Sequence, residues 1–328
     1  MDALAEVLRA IKIDAAIYLN GEFSEPWCVM APDAASLAPI FGRGGAHVIV
    51  YHLLSEGRAH CEIDDGDSVE LSAGDLVALP HGHRHRIGNG RYATPIDVSN
   101  ALPGILENGL RPLTAGGGGM VSKFICGYLA CDRHLSQAFL TGLPPLVRLN
   151  IRDDVSGQWL ENSLRFSVAQ AASRDAGSLE VVAKLSEVFV AEALRRYQRE
   201  LPPGEIGWLA GAREPAVGRA LVLMHHRSAH PWTLPSLAHE VGVSRSVLSE
   251  RFRHYLGESP IAYLTRWRLR LGARELTSTG RSVAQIAVDV GYESEAAFNR
   301  AFKREYGQPP ARYRRQLQAG ESKAARLL

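Results

Sequence analysis

The 328-residue sequence predicts an α+β chain of two domains. The first is a β-barrel with flanking helices. The second is all-α, with two helix-turn-helix units joined by a long helix. Three observations predict this. Short β-type runs separated by turn residues fill the first hundred positions. Two near-copies of a helix–Gly–helix pattern stand about fifty residues apart in the last third. Charge also divides along the chain: from Ala212 onward there are 19 Lys and Arg against 10 Asp and Glu (+9), and the first 211 residues hold 18 against 25 (−7). A basic part carried on an acidic part suggests a nucleic-acid module attached to something that does not bind nucleic acid.

Composition bounds the rest. With 46% hydrophobic and 22% charged residues, the chain fits a soluble globular protein. No run approaches the roughly 20 apolar residues of a membrane span, so no membrane partner is expected. The start, Met1-Asp-Ala-Leu-Ala-Glu-Val-Leu-Arg, does not read as a signal peptide. Cys28, Cys61, Cys126 and Cys131 are too few for a disulfide framework, so the cytoplasm is the expected compartment. The expected organisation is a sensing domain over 1–200, a linker over 201–215, a DNA-binding domain over 216–318 and a tail over 319–328.

In chain order, residues 1–13 read as a short helix. Strands are expected at 46–54, 58–63, 69–71, 75–79 and 124–129, divided by the turn triplets Asp64-Asp-Gly66, Ser72-Ala-Gly74 and Pro80-His-Gly82. Many short strands at this spacing argue for a small barrel or sandwich. From Leu179 to Tyr197 apolar residues recur at three- and four-residue steps, which predicts a helix able to dimerise or to pack on its own barrel. Pro202-Pro-Gly204 then breaks the chain.

The first helix-turn-helix reads through Thr233–Arg253. Leu234, Leu237, Ala238 and Val241 form its apolar stripe, Gly242 the turn, and Ser244 the cap of the second helix. That helix turns Ser244, Arg245, Ser246, Ser249, Glu250 and Arg253 outward. A recognition helix lays its N-terminal residues against base edges. Arg245 and Ser249 are therefore the candidate base readers, with Arg251 and Arg253 on phosphates. The second unit repeats the pattern from Ser282 to Lys303, with Gly291 at the turn, Tyr292 between the helices and Ser294 as cap. Glu295, Ala296 and Asn299 are placed for bases, and Arg300, Lys303 and Arg304 for the backbone. Between the units, residues 260–277 read as one helix. Its length suits two recognition helices about one DNA turn, roughly 34 Å, apart.

The segment from Trp232 to Arg315 resembles the DNA-binding domain of AraC/XylS-type bacterial regulators. The residues that carry the resemblance include Leu237-Ala238, Ser244, Leu248, Arg251-Phe252, Gly257, Ser259-Pro260, Ile286-Ala287, Gly291-Tyr292, Phe298, Phe302-Lys303, Gly307 and Pro309-Pro310. It implies a transcription regulator rather than an enzyme. It further implies binding to double-stranded promoter DNA, usually as an activator that touches RNA polymerase, effector control by the N-terminal domain, and a homodimer on DNA.

In the first domain, Gly74, Pro80-His-Gly82-His-Arg-His85 and Asn89 are spaced like the second motif of the cupin superfamily, whose His binds a metal. The first cupin motif is not reproduced, and Val50 stands where its acid is expected. His52 shares a strand face with Val48 and Val50, and Cys126 one with Phe124 and Tyr128. If those strands pair across a barrel, His52, His85 and Cys126 form a set of donors suited to Zn²⁺, with His81, His83 or water as the fourth ligand. Cys126 and Cys131 also permit a redox-sensing reading. The resulting expectation is a cupin-like barrel that senses a small molecule, a metal or an oxidant.

Overall fold

The computed structural model describes residues 3–10, 13–37, 47–64, 66–90, 93–98, 112–131, 140, 142–173 and 177–316. The tail expected at 319–328 lies outside the described residues. Two compact units result: residues 12–131 with 143–197, and residues 1–11, 132–142 and 198–328.

The first unit is built on two sheets. The strands are β1 (Ile13–Ser24), β2 (Trp27–Ala31), β3 (His47–Glu56), β4 (Arg58–Ile63), β5 (Ser68–Ser72), β6 (Asp75–Leu79), β7 (His85–Asn89), β8 (Ile96–Asp97), β9 (Leu113–Gly116), β10 (Val121–Cys131) and β11 (Val147–Asn150). A six-stranded sheet runs β11-β6-β3-β10-β1-β9 and a five-stranded sheet β5-β4-β7-β2-β8. The expected barrel is thus a two-sheet sandwich, not a single closed sheet. The turn triplets act as expected: Gly66, Gly74 and Gly82 all take positive φ at the strand ends, and so does Gly57 between β3 and β4.

Strand β3 is buried at every position from Val48 to Ser55, which explains its unbroken apolar run. Val48, Val50, His52 and Leu54 face the other sheet. Tyr51 faces outward beneath helix α4 (Ser178–Glu200), its ring 4.8 Å from that of Phe189. Tyr18 on β1 also reaches α4, with its hydroxyl 2.7 Å from that of Ser186. Gly127 of β10 lies under the Tyr51 ring, where a Cβ would come within 2.3 Å of it. A short helix, α2 (Ala34–Leu37), packs on β3, and a longer one, α3 (Val155–Ser173), packs on β1 and β10. Its sequence lacks a clean apolar stripe, so periodicity did not expose it.

The second unit is helical. It comprises α1 (Ala3–Ala10), α5 (Trp208–Arg213), α6 (Pro215–His226), α7 (Leu234–Val241), α8 (Arg245–Leu256), α9 (Pro260–Ser278), α10 (Val283–Asp289) and α11 (Glu295–Tyr306). Helix α1 packs on α5 and α6, with Ala3 and Leu4 buried. The interval 201–215, expected as a linker, therefore contains a helix with Trp208 and Leu209 in the core. Trp208 Nε1 donates to the Tyr263 hydroxyl at 2.8 Å, and that hydroxyl also lies 2.8 Å from His225 Nε2. No described helix is long and apolar enough to cross a membrane.

Candidate DNA interface and interior polar site

Each recognition helix is defined by its ends. Ser244 Oγ accepts the Val247 N–H (3.3 Å), and Ser294 Oγ accepts the Ala297 N–H (3.2 Å). Both helices have 12 residues and stop at a left-handed glycine, Gly257 or Gly307. The helices before them begin with reciprocal caps at Thr233/Ser236 and Ser282/Gln285. Gly242 (φ 75°) and Gly291 (φ 88°) make the tight turns expected of them. Leu248 with Phe252, and Phe298 with Phe302, hold the recognition helices to their units. Helix α9 spans 19 residues, or roughly 28 Å at about 1.5 Å per residue.

The outward residues are mostly free for a ligand. Arg245, Ser246, Arg253, Glu295, Ala296, Arg300, Lys303 and Arg304 are exposed, while Ser249 and Asn299 are half-buried. Among the described residues, Arg253, Arg300, Lys303 and Arg304 form no ion pair. Ser244 and Ser294 are exposed, and each hydroxyl is engaged in capping. Arg251, expected on phosphate, is exposed and joins an ion pair. Its guanidinium pairs with Glu214, whose carboxylate also caps α6 by accepting the Val217 N–H (2.7 Å). Glu214 carried no sequence signal because the pair spans 37 residues. Arg268 donates to the carbonyls of Ser228 and His230, both at 2.7 Å, and so braces α9 against the chain preceding α7.

The three residues expected to meet inside the first unit do meet. His52 and Cys126 are register partners on the adjacent strands β3 and β10, neighbours in one sheet and not facing one another across a barrel. His85 comes from β7 of the opposite sheet. Cys126 Sγ lies 2.8 Å from His52 Nδ1, and His52 Nε2 lies 2.7 Å from His85 Nε2. His85 Nδ1 lies 2.9 Å from the His83 carbonyl oxygen. A carbonyl only accepts, so His85 carries its proton on Nδ1. His52 must then donate from Nε2, and the Cys126 thiol donates to His52 Nδ1. The result is a directed chain of four groups that bridges the two sheets.

Its electrostatics agree with this assignment. Burial lowers His85 to about 4, and burial with the neighbouring His85 holds His52 well below the usual histidine value. Burial pushes the Cys126 thiol up, and raises Cys61 to about 12. Both rings are therefore neutral and the thiol keeps its proton at neutral pH. Cys126 packs against both apolar clusters of the sandwich and, with His52, lines a cavity of about 40 Å³ among Phe23, Phe124 and Tyr128.

This arrangement does not match a metal-chelating set. A single ion needs donors that converge on one point, whereas His52 turns a different ring nitrogen to each neighbour. Among the described residues, no group of three or more His, Cys, Asp or Glu side chains is placed to hold a metal ion. Nor do the expected fourth ligands enter. His81 Nε2 is engaged by the Leu143 carbonyl at 3.0 Å, and His83 contributes only its main-chain oxygen. Val50 is fully buried in an apolar cluster, so no acid substitutes for it. Cys131, five residues along β10 from Cys126, points to the opposite face and bonds the His47 carbonyl (3.5 Å). Burial raises the Cys126 thiol and keeps Cys131 out of solvent, so neither has the accessible character that a thiolate sensor requires.

Comparison with known proteins accords with both halves. Residues 2–199 match the family described as Cupin, and residues 237–316 match the helix-turn-helix domain family. The chain is 28% identical over 322 residues to the HTH-type transcriptional regulator AlkR of Acinetobacter baylyi, covering 96% of this chain and 100% of that one. It is 31% identical over 316 residues to a putative AraC-like transcription regulator of Streptomyces lividans, covering 96% and 98%. It is also 28% identical over 318 residues to the RCS-specific HTH-type transcriptional activator RclR of Escherichia coli, covering 97% and 98%. The chain belongs to the AraC-like family of DNA-binding transcription regulators with a cupin N-terminal domain.

Proposed function

We propose that this regulator enters two successive major grooves of promoter DNA with α8 and α11, and that an effector received inside the sandwich sets its affinity. The observation that supports the first part is the pair of capped recognition helices joined by α9, whose length of roughly 28 Å is comparable with the roughly 34 Å of one DNA turn. The protein acts in the cytoplasm as an activator, as a homodimer on its promoter, in contact with RNA polymerase. The α3/α4 pair offers the dimer surface, with Trp159, Phe166 and Val188 exposed on it.

The effector reading rests on the Cys126–His52–His85 chain. It is a buried polar link between the two sheets, set among apolar residues of both, and it borders the cavity. A small, mostly apolar molecule with one hydrogen-bonding group would exchange a contact with Cys126 or His52 and alter the link. Zinc and oxidants are the competing signals, and each is an arm of the test.

The test is binding of the purified protein to its own upstream intergenic DNA against scrambled DNA, at physiological salt. Preference for the specific fragment is expected, and equal affinity for both counts against the reading. Small molecules, zinc and peroxide are then added in turn. Whichever changes the preference in the native protein and not in His52→Leu identifies the class of signal. Two substitutions separate the roles on the helices. Arg245→Ala should lose roughly 1–3 kcal/mol of discrimination at one base. Lys303→Ala should weaken all sequences alike and reduce the salt slope by about one. Equal effects of both on specific and random duplexes would remove the division of labour.

A further inference from the structure

The two recognition helices are alike in frame and opposite in chemistry. Aligned cap to cap, Ser244 to Ser294 and Gly257 to Gly307, they place Arg245 against Glu295 as first helical residues. Ser246 falls against Ala296, Ser249 against Asn299, and Arg253 against Lys303. The phosphate-side position shared by Arg253 and Lys303 is thus basic in both helices, whereas the base-facing first turn carries a guanidinium in one and a carboxylate in the other. Glu295 is exposed and joins no ion pair among the described residues. Its Oε1 accepts a long hydrogen bond (3.5 Å) from Asn299 Nδ2, one turn along the same face. That contact holds the carboxylate over the face one turn of helix presents to the groove and leaves the other oxygen open.

A guanidinium only donates, and suits the O6 and N7 acceptors of guanine. A carboxylate only accepts, and in the major groove only cytosine N4 and adenine N6 donate. Close to phosphates a carboxylate is repelled unless it receives such a hydrogen bond. We propose that Glu295 is a specificity determinant of the second half-site and selects cytosine there by accepting from its N4 amino group, with Asn299 as its positioning residue. The operator would then be chemically asymmetric, with guanine read by α8 and, about one helical turn away, cytosine read by α11. This rests on the two-groove reading above. The plainer role for Glu295, favourable interaction with the positive end of α11, predicts no base preference at all.

The experiment selects duplexes from a random pool with the full-length protein, followed by competition titrations with single-base variants of the selected sequence. The expected result is a cytosine in the second half-site worth about tenfold in affinity, an effect within the range of a direct base contact. Glu295→Ala should abolish that preference and leave the guanine of the first half-site intact. Glu295→Gln, which adds a donor beside the acceptor, should move the preference to adenine. A second half-site without base preference, or one that Glu295→Ala leaves unchanged, overturns the proposal while the two-groove reading stands. Enrichment of no duplex at all overturns both. Thermal melting of the variants keeps the result clear of folding defects, since residue 295 is exposed.

Discussion

Phe298→Ala is expected to remove about 3–5 kcal/mol from the helical unit and most of its specific DNA affinity. The ring is fully buried between Tyr292 and Phe302, at centroid distances of 5.3 and 5.4 Å. It also lies against Gly272 in the middle of α9, where a Cβ would come within 2.8 Å of it. A glycine inside a helix costs about 1 kcal/mol relative to alanine, and the close seat for Phe298 is what it provides. Deleting the ring leaves a cavity that this rigid seat cannot close. Typical domains are stable by about 5–15 kcal/mol, so the loss is a large fraction. The second recognition helix would then no longer hold its place relative to the first. Chemical denaturation and duplex titration check this, with Val288→Ala as a control, because Val288 is 64% exposed on the neighbouring helix. A loss below about 1 kcal/mol for Phe298→Ala would show that α11 is held by other contacts.

Acid should destabilise the sandwich at pH values where carboxylates are still ionised. In an unfolded chain histidine takes up its proton near 6.5. In the fold, burial keeps His85 neutral down to about 4 and His52 neutral well below its usual value. Between these limits the unfolded chain binds more protons than the native one, so stability rises with pH. The contribution is complete above about pH 6.5 and drains as the pH falls toward 4. For His85 alone the loss is on the order of 3 kcal/mol. Urea midpoints measured from about pH 7.5 to 4.5 should fall steeply below 6.5, and less steeply in His85→Gln. A midpoint that stays flat until the carboxylates titrate would mean that one of the rings is already charged in the native state. His225, lowered to about 3 by burial and by the nearby Arg270, gives the helical unit the same sign of response.

The helix-turn-helix units were legible because their signals are local. Ser244, Gly242, Ser294 and Gly291 act within four residues of where they stand, through caps and positive φ, so spacing alone locates the recognition helices. Strands β3 to β6 were legible for the same reason, since turn triplets bracket apolar runs. Helix α3 and helix α5 were not. The first is weakly amphipathic, and the second is only six residues long and is fixed by tertiary packing of Trp208. The inward face of His52, Cys126 and their neighbours followed from strand alternation, which has period two.

How those groups engage one another did not follow. Sequence placed His52 and Cys126 on apolar strand faces and Arg245 and Glu295 at the start of equivalent helices. Only the tertiary structure decided that β3 and β10 are adjacent and in register, so that Cys126 meets one nitrogen of His52 and His85 the other. It likewise decided that Arg251 is held by Glu214, 37 residues away. The physical reason is the range of the interaction. Caps, turns and periodicity are fixed by backbone geometry within a few residues, whereas a ring's hydrogen-bond direction depends on strand pairing and sheet packing set by the whole chain.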